Sequence, residues 1–233
     1  MFKNDGIKFI QYDYVRAGLG NNLLRFIDLL TIYNDKKKFK VFTNHQKITR
    51  FCKPQIIGSR GFKNRQKLLL SETLYRKDKI DLNLHFNVVS KKEIDKNILG
   101  IHFRGTDFER WKKHSIIPPS FFIKATKKFN YYKKIYLVTD DINHINVKEL
   151  LNSEFFRRKS IFCFSNSEYS DFSILSRTHR IIASPSTFSL CASIFGPKNI
   201  IYPKIYAELE IKSPFWRCLL EGKSTNHTRV KLI

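Results

Sequence analysis

From about residue 95 onward the chain repeats one pattern, a short apolar run of strand length followed by a run with helical spacing. The apolar runs are 98–103, 134–139, 160–164, 180–183 and 199–202. Between them lie helix-type segments: Ser120 to Phe129 behind two prolines, the stretch around Val147 to Asn152, Asp171 to Arg177, and Phe188 to Phe195. Strands separated by helices cannot close as hairpins and must be joined by crossovers. The fold class that follows is α/β, with a parallel, doubly wound sheet.

The first 95 residues carry less regular signal. Ile7 to Tyr12 has the character of a strand, and Asn21 to Tyr33 carries a helical stripe of Leu23, Leu24, Phe26, Ile27 and Leu30. The stretch from Lys36 to Lys96 is basic and weakly periodic. The expected organisation is a small N-terminal α/β lobe over 1–95 and a second lobe over 96–206. A tail over 207–233 is expected to pack back on the first lobe.

Composition sets the class. Of 233 residues, 42% are hydrophobic and 27% charged, which excludes a disordered chain. No apolar run reaches the ~18 residues of a membrane span. The opening Met-Phe-Lys-Asn-Asp-Gly-Ile-Lys lacks the apolar core of a signal peptide, so a cytoplasmic location is expected, peripheral to a membrane at most. Cys52, Cys163, Cys191 and Cys218 are scattered, with no C-x-x-C pair, and reduced thiols are the simplest reading. The formal charge of +23 favours a polyanion, an anionic membrane surface or a phosphate-bearing small molecule. Its dispersal along the chain speaks against nucleic acid, whose binders concentrate charge on one face or arm. The aromatic residues sit in apolar-periodic segments and read as core.

Four motifs carry chemistry. Gly18-Leu19-Gly20-Asn21-Asn22 links a strand to a helix; glycines there allow close backbone approach, and a turn with an asparagine cap fits the same residues. His102-Phe103-Arg104-Gly105-Thr106-Asp107-Phe108 leaves a strand at its C-terminal end, where open parallel sheets bind ligands. Alternation places His102 and Arg104 on one side, and Arg104 either clamps a phosphate or pairs with Asp107. Ser184-Pro185-Ser186-Thr187-Phe188 precedes a helix, as a phosphate cradle or an ordinary cap. Thr139-Asp140-Asp141 ends another strand; no third ligand lies at a metal-site spacing, so turn and cap service is expected. His179 is expected as a packed loop histidine.

In combination these blocks resemble the α-1,2-fucosyltransferases (glycosyltransferase family 11), within the GDP-fucose-dependent superfamily. Gly18 to Leu23 is similar to the family's G-L-G-N-Q-[LM] opening. His102 to Phe108 is similar to H-x-R-R-x-D-[FY], and Leu137 to Asp141 to its strand-ending D-D. The stretch from Asp171 to Ala192 is similar to D-x-x-x-[LM]-S-x-C-K-H-x-I-[IL]-[AS]-N-S-[ST]-F-S-W-W-[AG]-A. The chain departs from the family in having Gly105 where many relatives have a second Arg. It also has Pro185 for Asn and Leu190-Cys191 for a Trp pair.

The resemblance implies a GT-B-like fold, two facing Rossmann-like lobes with the donor in the second. It implies an inverting, metal-independent transfer of L-fucose from GDP-β-L-fucose to a glycan hydroxyl, in α linkage. No cofactor beyond the GDP-sugar substrate is expected. Arg104, Ser186, Thr187 and the N–H groups before Phe188 would hold the diphosphate, and Asp171 would read guanine. His102 would sit beside the base, with Gly18, Gly20 and Asn21 near the diphosphate and sugar. Asp107 would act as base or orient Arg104. Two other readings are a same-fold enzyme for another nucleotide sugar and a catalytically silent, basic polyanion-binding relative.

Overall fold

A computed structural model of the chain describes residues 8–12, 18–23, 39–43, 94–106, 108–111, 116–197, 199–204 and 229–233. The chain divides into two compact units, Met1–Val89 and Ser90–Ile233. The expected helix beyond residue 23, most of the 36–96 stretch and Asp107 lie outside the described residues.

In the first unit, strand β1 (Lys8–Tyr12) pairs in parallel with β2 (Phe39–Thr43). Residues 19–23, between them in the chain, are helical. That helix starts at residue 19, so Gly20 and Asn21 belong to its first turn and not to a loop. Leu19 and Leu23, four apart and both fully buried, give it an apolar face. The backbone N–H and side-chain amide of Asn22 both donate to the Gly18 carbonyl, at 3.3 and 3.1 Å.

The second unit holds a six-stranded sheet of β3 (Asp95–Phe103), β4 (Lys134–Thr139), β5 (Ser160–Phe164), β6 (Thr178–Ala183), β7 (Asn199–Tyr202) and β8 (Arg229–Leu232). Every pairing is parallel and the order is β5-β4-β3-β6-β7-β8. The α/β class read from the alternation is therefore present. The central strands are continuous apolar runs, with Leu99, Ile101, Ile135, Leu137, Ile181 and Ile182 all fully buried, as a sheet covered on both faces requires.

Among the described residues of the second unit the helices are α1 (Phe108–Trp111), α2 (Pro119–Lys127), α3 (Ile145–Asn152), α4 (Glu154–Arg157), α5 (Glu168–Leu175) and α6 (Thr187–Phe195). Helix α2 packs with α3, and α5 with α6. Right-handed crossovers place these pairs on opposite faces, because the chain moves outward through β4 to β5 and then returns past β3 to β6. Helix α6 is buried from Phe188 to Phe195, apolar nearly all round, and forms the centre of its layer.

Residues 205–228 of the tail lie outside the described residues. Its end, Arg229–Leu232, adds the edge strand β8 beside β7 in the second unit. The backbone explains the docking, since Ile233 donates to the Tyr202 carbonyl at 3.0 Å and Lys204 donates to that of Ile233 at 2.8 Å. Among the described residues, no helix is long and apolar enough to cross a membrane.

His179 lies on β6, not in a loop, and its Nδ1 meets the Tyr132 hydroxyl at 2.5 Å. Burial, reinforced by the nearby Arg180 and Lys96 charges, pushes its pKa below the ordinary histidine value. A folded state that resists protonation loses stability as the pH falls below the unfolded histidine value of about 6.5, and is unaffected above it. Melting temperature should therefore drop between about pH 7 and pH 5, and His179→Gln should flatten that drop. Parallel pH profiles of the two proteins check this.

Candidate functional site

Counted from β3, the sheet order is 3-2-1-4-5-6: the chain leaves β3 toward β4 on one side and later places β6 on the other. A crevice opens outside the carboxyl ends of β3 and β6 at such a reversal, and ligands of open α/β sheets bind there. Two of the motifs meet at this point. Arg104 follows β3, and Ser184-Pro185-Ser186 follows β6.

Their contacts are specific. The Ser184 N–H donates to the His102 carbonyl at 2.8 Å, extending the ladder one step past the strands. The Arg104 N–H donates to Ser184 Oγ at 3.1 Å, and its guanidinium Nη1 donates to Ser186 Oγ at 3.2 Å. Ser186 is the N-cap of α6, and the same Oγ accepts the Phe188 N–H at 3.2 Å. A guanidinium is thus held against the positive end of a helix whose first turn contains no acidic residue. Like signs brought together favour an anion that contacts both.

The cap is braced from beneath. Buried Tyr202 on β7 donates its hydroxyl to the Ser186 carbonyl at 3.0 Å, and Ser189 Oγ donates to that carbonyl at 2.9 Å. Burial pushes the Tyr202 pKa far up, so the phenol stays a donor. A side face of the guanidinium rests near Phe108, with Cζ 5.2 Å from the ring centre.

A second brace comes from β4. Asp140 accepts the Gly105 N–H at 2.8 Å on Oδ1 and the Thr106 hydroxyl at 2.7 Å on Oδ2. Of the turn and cap service expected of the Asp pair, the turn role is present at Asp141, which accepts the Asn143 N–H at 2.8 Å; neither residue caps α3, and Asp140 instead fixes the loop after β3. The cap of α3 is His144, whose Nδ1 accepts the Asn146 N–H at 3.1 Å and whose Nε2 therefore donates to Glu109 at 3.0 Å. Its buried ring lies 4.9 Å from that of Phe103.

This packing accounts for Gly105. A Cβ at residue 105 would stand 2.8 Å from His144 Cδ2 and 3.1 Å from Phe103 Cε1. Any side chain at residue 105 must displace the His144 ring or the Phe103 ring, so the packing favours glycine there. Gly105→Ala should lower stability by about 1–3 kcal/mol, the usual cost of overpacking, as read from the midpoint of denaturant unfolding.

His102 is buried beside α6, its ring 5.2 Å from Phe188, which meets Phe172 of α5 edge-on at 5.6 Å. His102 and Arg104 thus both turn toward α6, as alternation requires. Thr187 is half-buried at the first position of α6. Asp171 lies in the first turn of α5, where its carboxylate accepts the Asn166 N–H at 3.2 and 3.1 Å and the Asn166 amide at 3.2 Å. Burial raises its pKa above the usual carboxylate value, against the lowering effect of those bonds. Gly18, Gly20 and Asn21 belong to the first unit, and His102, Arg104, Asp171, Ser186, Thr187 and Phe188 to the second. Among the described residues, no three of His, Cys, Asp and Glu gather as a metal site.

The roles of Ser184, Asp140, His144 and Tyr202 were not read from the sequence. The strand-end position of Ser184 and Asp140 was the available signal; the other two carry none.

No family model matches the chain. No curated protein matches it. Among solved structures it is similar to a crystal structure of POFUT1 in complex with GDP, with a TM-score of 0.35 and 14% identity. That likeness covers 49% of this chain and 43% of the other, so the chain spans less than half of that protein.

Proposed function

We propose that the chain is an inverting glycosyltransferase that uses GDP-β-L-fucose and transfers fucose to a glycan hydroxyl in α linkage. The observation that carries this reading is the meeting of Arg104 with the Ser186-capped start of α6 at the sheet reversal. The resemblance of the four sequence blocks supports the choice of nucleotide and sugar. A GT-B arrangement of two lobes and an α-1,2 linkage belong to the same proposal.

In this reading Arg104, Ser186 and the N–H groups around Thr187 hold the diphosphate and stabilise the charge that grows as the glycosidic bond breaks. Those groups take the place of a divalent cation. Asp171 reads the guanine edge with its two oxygens, for which the Asn166 amide must release Oδ1. Phe188 and His102 wall the base side. Gly18, Gly20 and Asn21 keep the donor-side role of the family's glycine motif, and Asp107 that of base or orienting carboxylate. The acceptor is a glycan, met at an anionic membrane surface to which the charge of +23 is suited.

Thermal melting with nucleotides tests the proposal. GDP at about 100 times its dissociation constant adds about 2.7 kcal/mol, a rise of roughly 5–10 °C, and UDP, ADP and CDP add clearly less. The GDP shift and GDP-fucose turnover both persist in excess EDTA. Equal shifts with UDP and GDP defeat the guanine assignment, and no shift with any nucleotide defeats the donor site. Activity lost to EDTA and restored by Mn²⁺ makes Asp140 and Asp141 ligands instead.

A further inference from the structure

Three basic runs, two of them only four residues apart, converge at the end of the second unit opposite the crevice. They are Lys127-Lys128 at the close of α2, Lys133-Lys134 at the start of β4, and Arg157-Arg158-Lys159 just before β5. Contacts tie them together. The Lys159 ammonium donates to the Asn130 and Tyr132 carbonyls at 2.7 and 3.1 Å, and Ser160 donates its N–H to the Lys133 carbonyl at 3.1 Å. Lys127 and Lys159 share the Phe155 ring, at 5.9 and 5.4 Å from its centre. A shallow cleft of about 350 Å³ runs between Lys127, Phe155 and Arg158. Glu154, paired with Arg158, is the one carboxylate within 127–134 and 154–159, and Asp95 opens the neighbouring strand β3 at the same end.

Among these cations stands Tyr131, 66% exposed, with its ring 4.3 Å from that of Tyr132. Seven of the 43 lysines and arginines therefore meet at one end of the sheet. We propose that this basic end of the sheet docks the protein on an anionic membrane surface. Lysines outnumber arginines here, and point charges on flexible stems suit a diffuse field of headgroups better than the fixed geometry that planar guanidinium forks recognise. An exposed tyrosine within a cationic collar has the amphipathic character of residues that settle at headgroup depth. The proposal rests on a surface away from the crevice and does not depend on the donor reading.

Co-sedimentation with vesicles of phosphatidylcholine, with and without phosphatidylserine, tests it. The wild-type chain pellets with the phosphatidylserine vesicles alone and is released by salt, since the screening length shrinks to about 3 Å at 1 M. Reversing two patch charges, Lys128→Glu with Lys133→Glu, weakens the partition about 30-fold or more. Reversing two exposed charges elsewhere, Lys148→Glu with Lys231→Glu, leaves it within about threefold. Melting shifts with GDP on both double variants separate loss of docking from loss of fold or of the donor site. Absence of vesicle binding, equal loss in the two double variants, or patch-dependent binding of duplex DNA without vesicle binding overturns the proposal.

Discussion

Under the proposed function, Arg104→Lys is expected to lower fucose transfer by about 10²–10³, equivalent to roughly 2.7–4 kcal/mol of lost stabilisation of the departing diphosphate. Lysine keeps the positive charge but not the planar fork, so it does not reproduce the fixed geometry in which Nη1 bonds Ser186 Oγ. The backbone bond from residue 104 to Ser184 Oγ survives the change, so the loop keeps its course. Melting without ligand should therefore stay near the wild-type value while GDP affinity falls. A residue that only fastened the loop would behave in the opposite way, lowering the melting temperature and leaving GDP affinity intact. Wild-type GDP binding and turnover in both Arg104→Lys and Arg104→Ala would remove the residue from the site.

The largest structural effect belongs to Gly196. It follows the last turn of α6, and a Cβ there would run into the carbonyl oxygen of Ser176 and lie 2.7 Å from its Cα. Ser176 ends α5, so the obstacle is backbone, and no side-chain rotation relieves it. An alanine must push the ends of α5 and α6 apart and pull Phe195 from Phe172, whose rings lie 6.0 Å apart. Gly196→Ala should cost 3 kcal/mol or more, at or beyond the upper end for overpacking, and lower the melting temperature by roughly 6–12 °C. A neutral result in calorimetry would mean that these helix ends separate freely.

The strands from β3 to β7 were legible because each is a local apolar run between helix-type segments, and local patterns need no knowledge of neighbours. Their ends were less so: α5 begins at Glu168, ahead of the expected Asp171, because the Ser167 side chain caps it by accepting the Ser170 N–H. Strand β8 stayed hidden because Arg229-Val230-Lys231-Leu232 alternates over too few residues to stand out from a charged tail. Arg104 and Ser186 were legible as candidates by the same route as the strands, since each stands where an apolar run stops. Asp140 could not be assigned its work, because its bonds to Gly105 and Thr106 depend on β3 and β4 being neighbours. Tyr202 braces Ser186 through the pairing of β6 with β7, and Ser184 meets Arg104 because β6 lies against β3. What pattern reading cannot supply is adjacency, and the site is made of adjacencies.

The space beside residue 105 also sets the order in which this protein can change. An arginine there collides with the His144 ring, while loss of His144 alone removes the cap of α3 and the partner of Glu109 but leaves room behind. A lineage or an engineer adding a second cation after β3 must first accept a smaller residue at 144, with some other cap for Asn146. The reverse order passes through a variant that carries both bulky groups in one space. Of the two single-step routes between these states, the packing leaves one open.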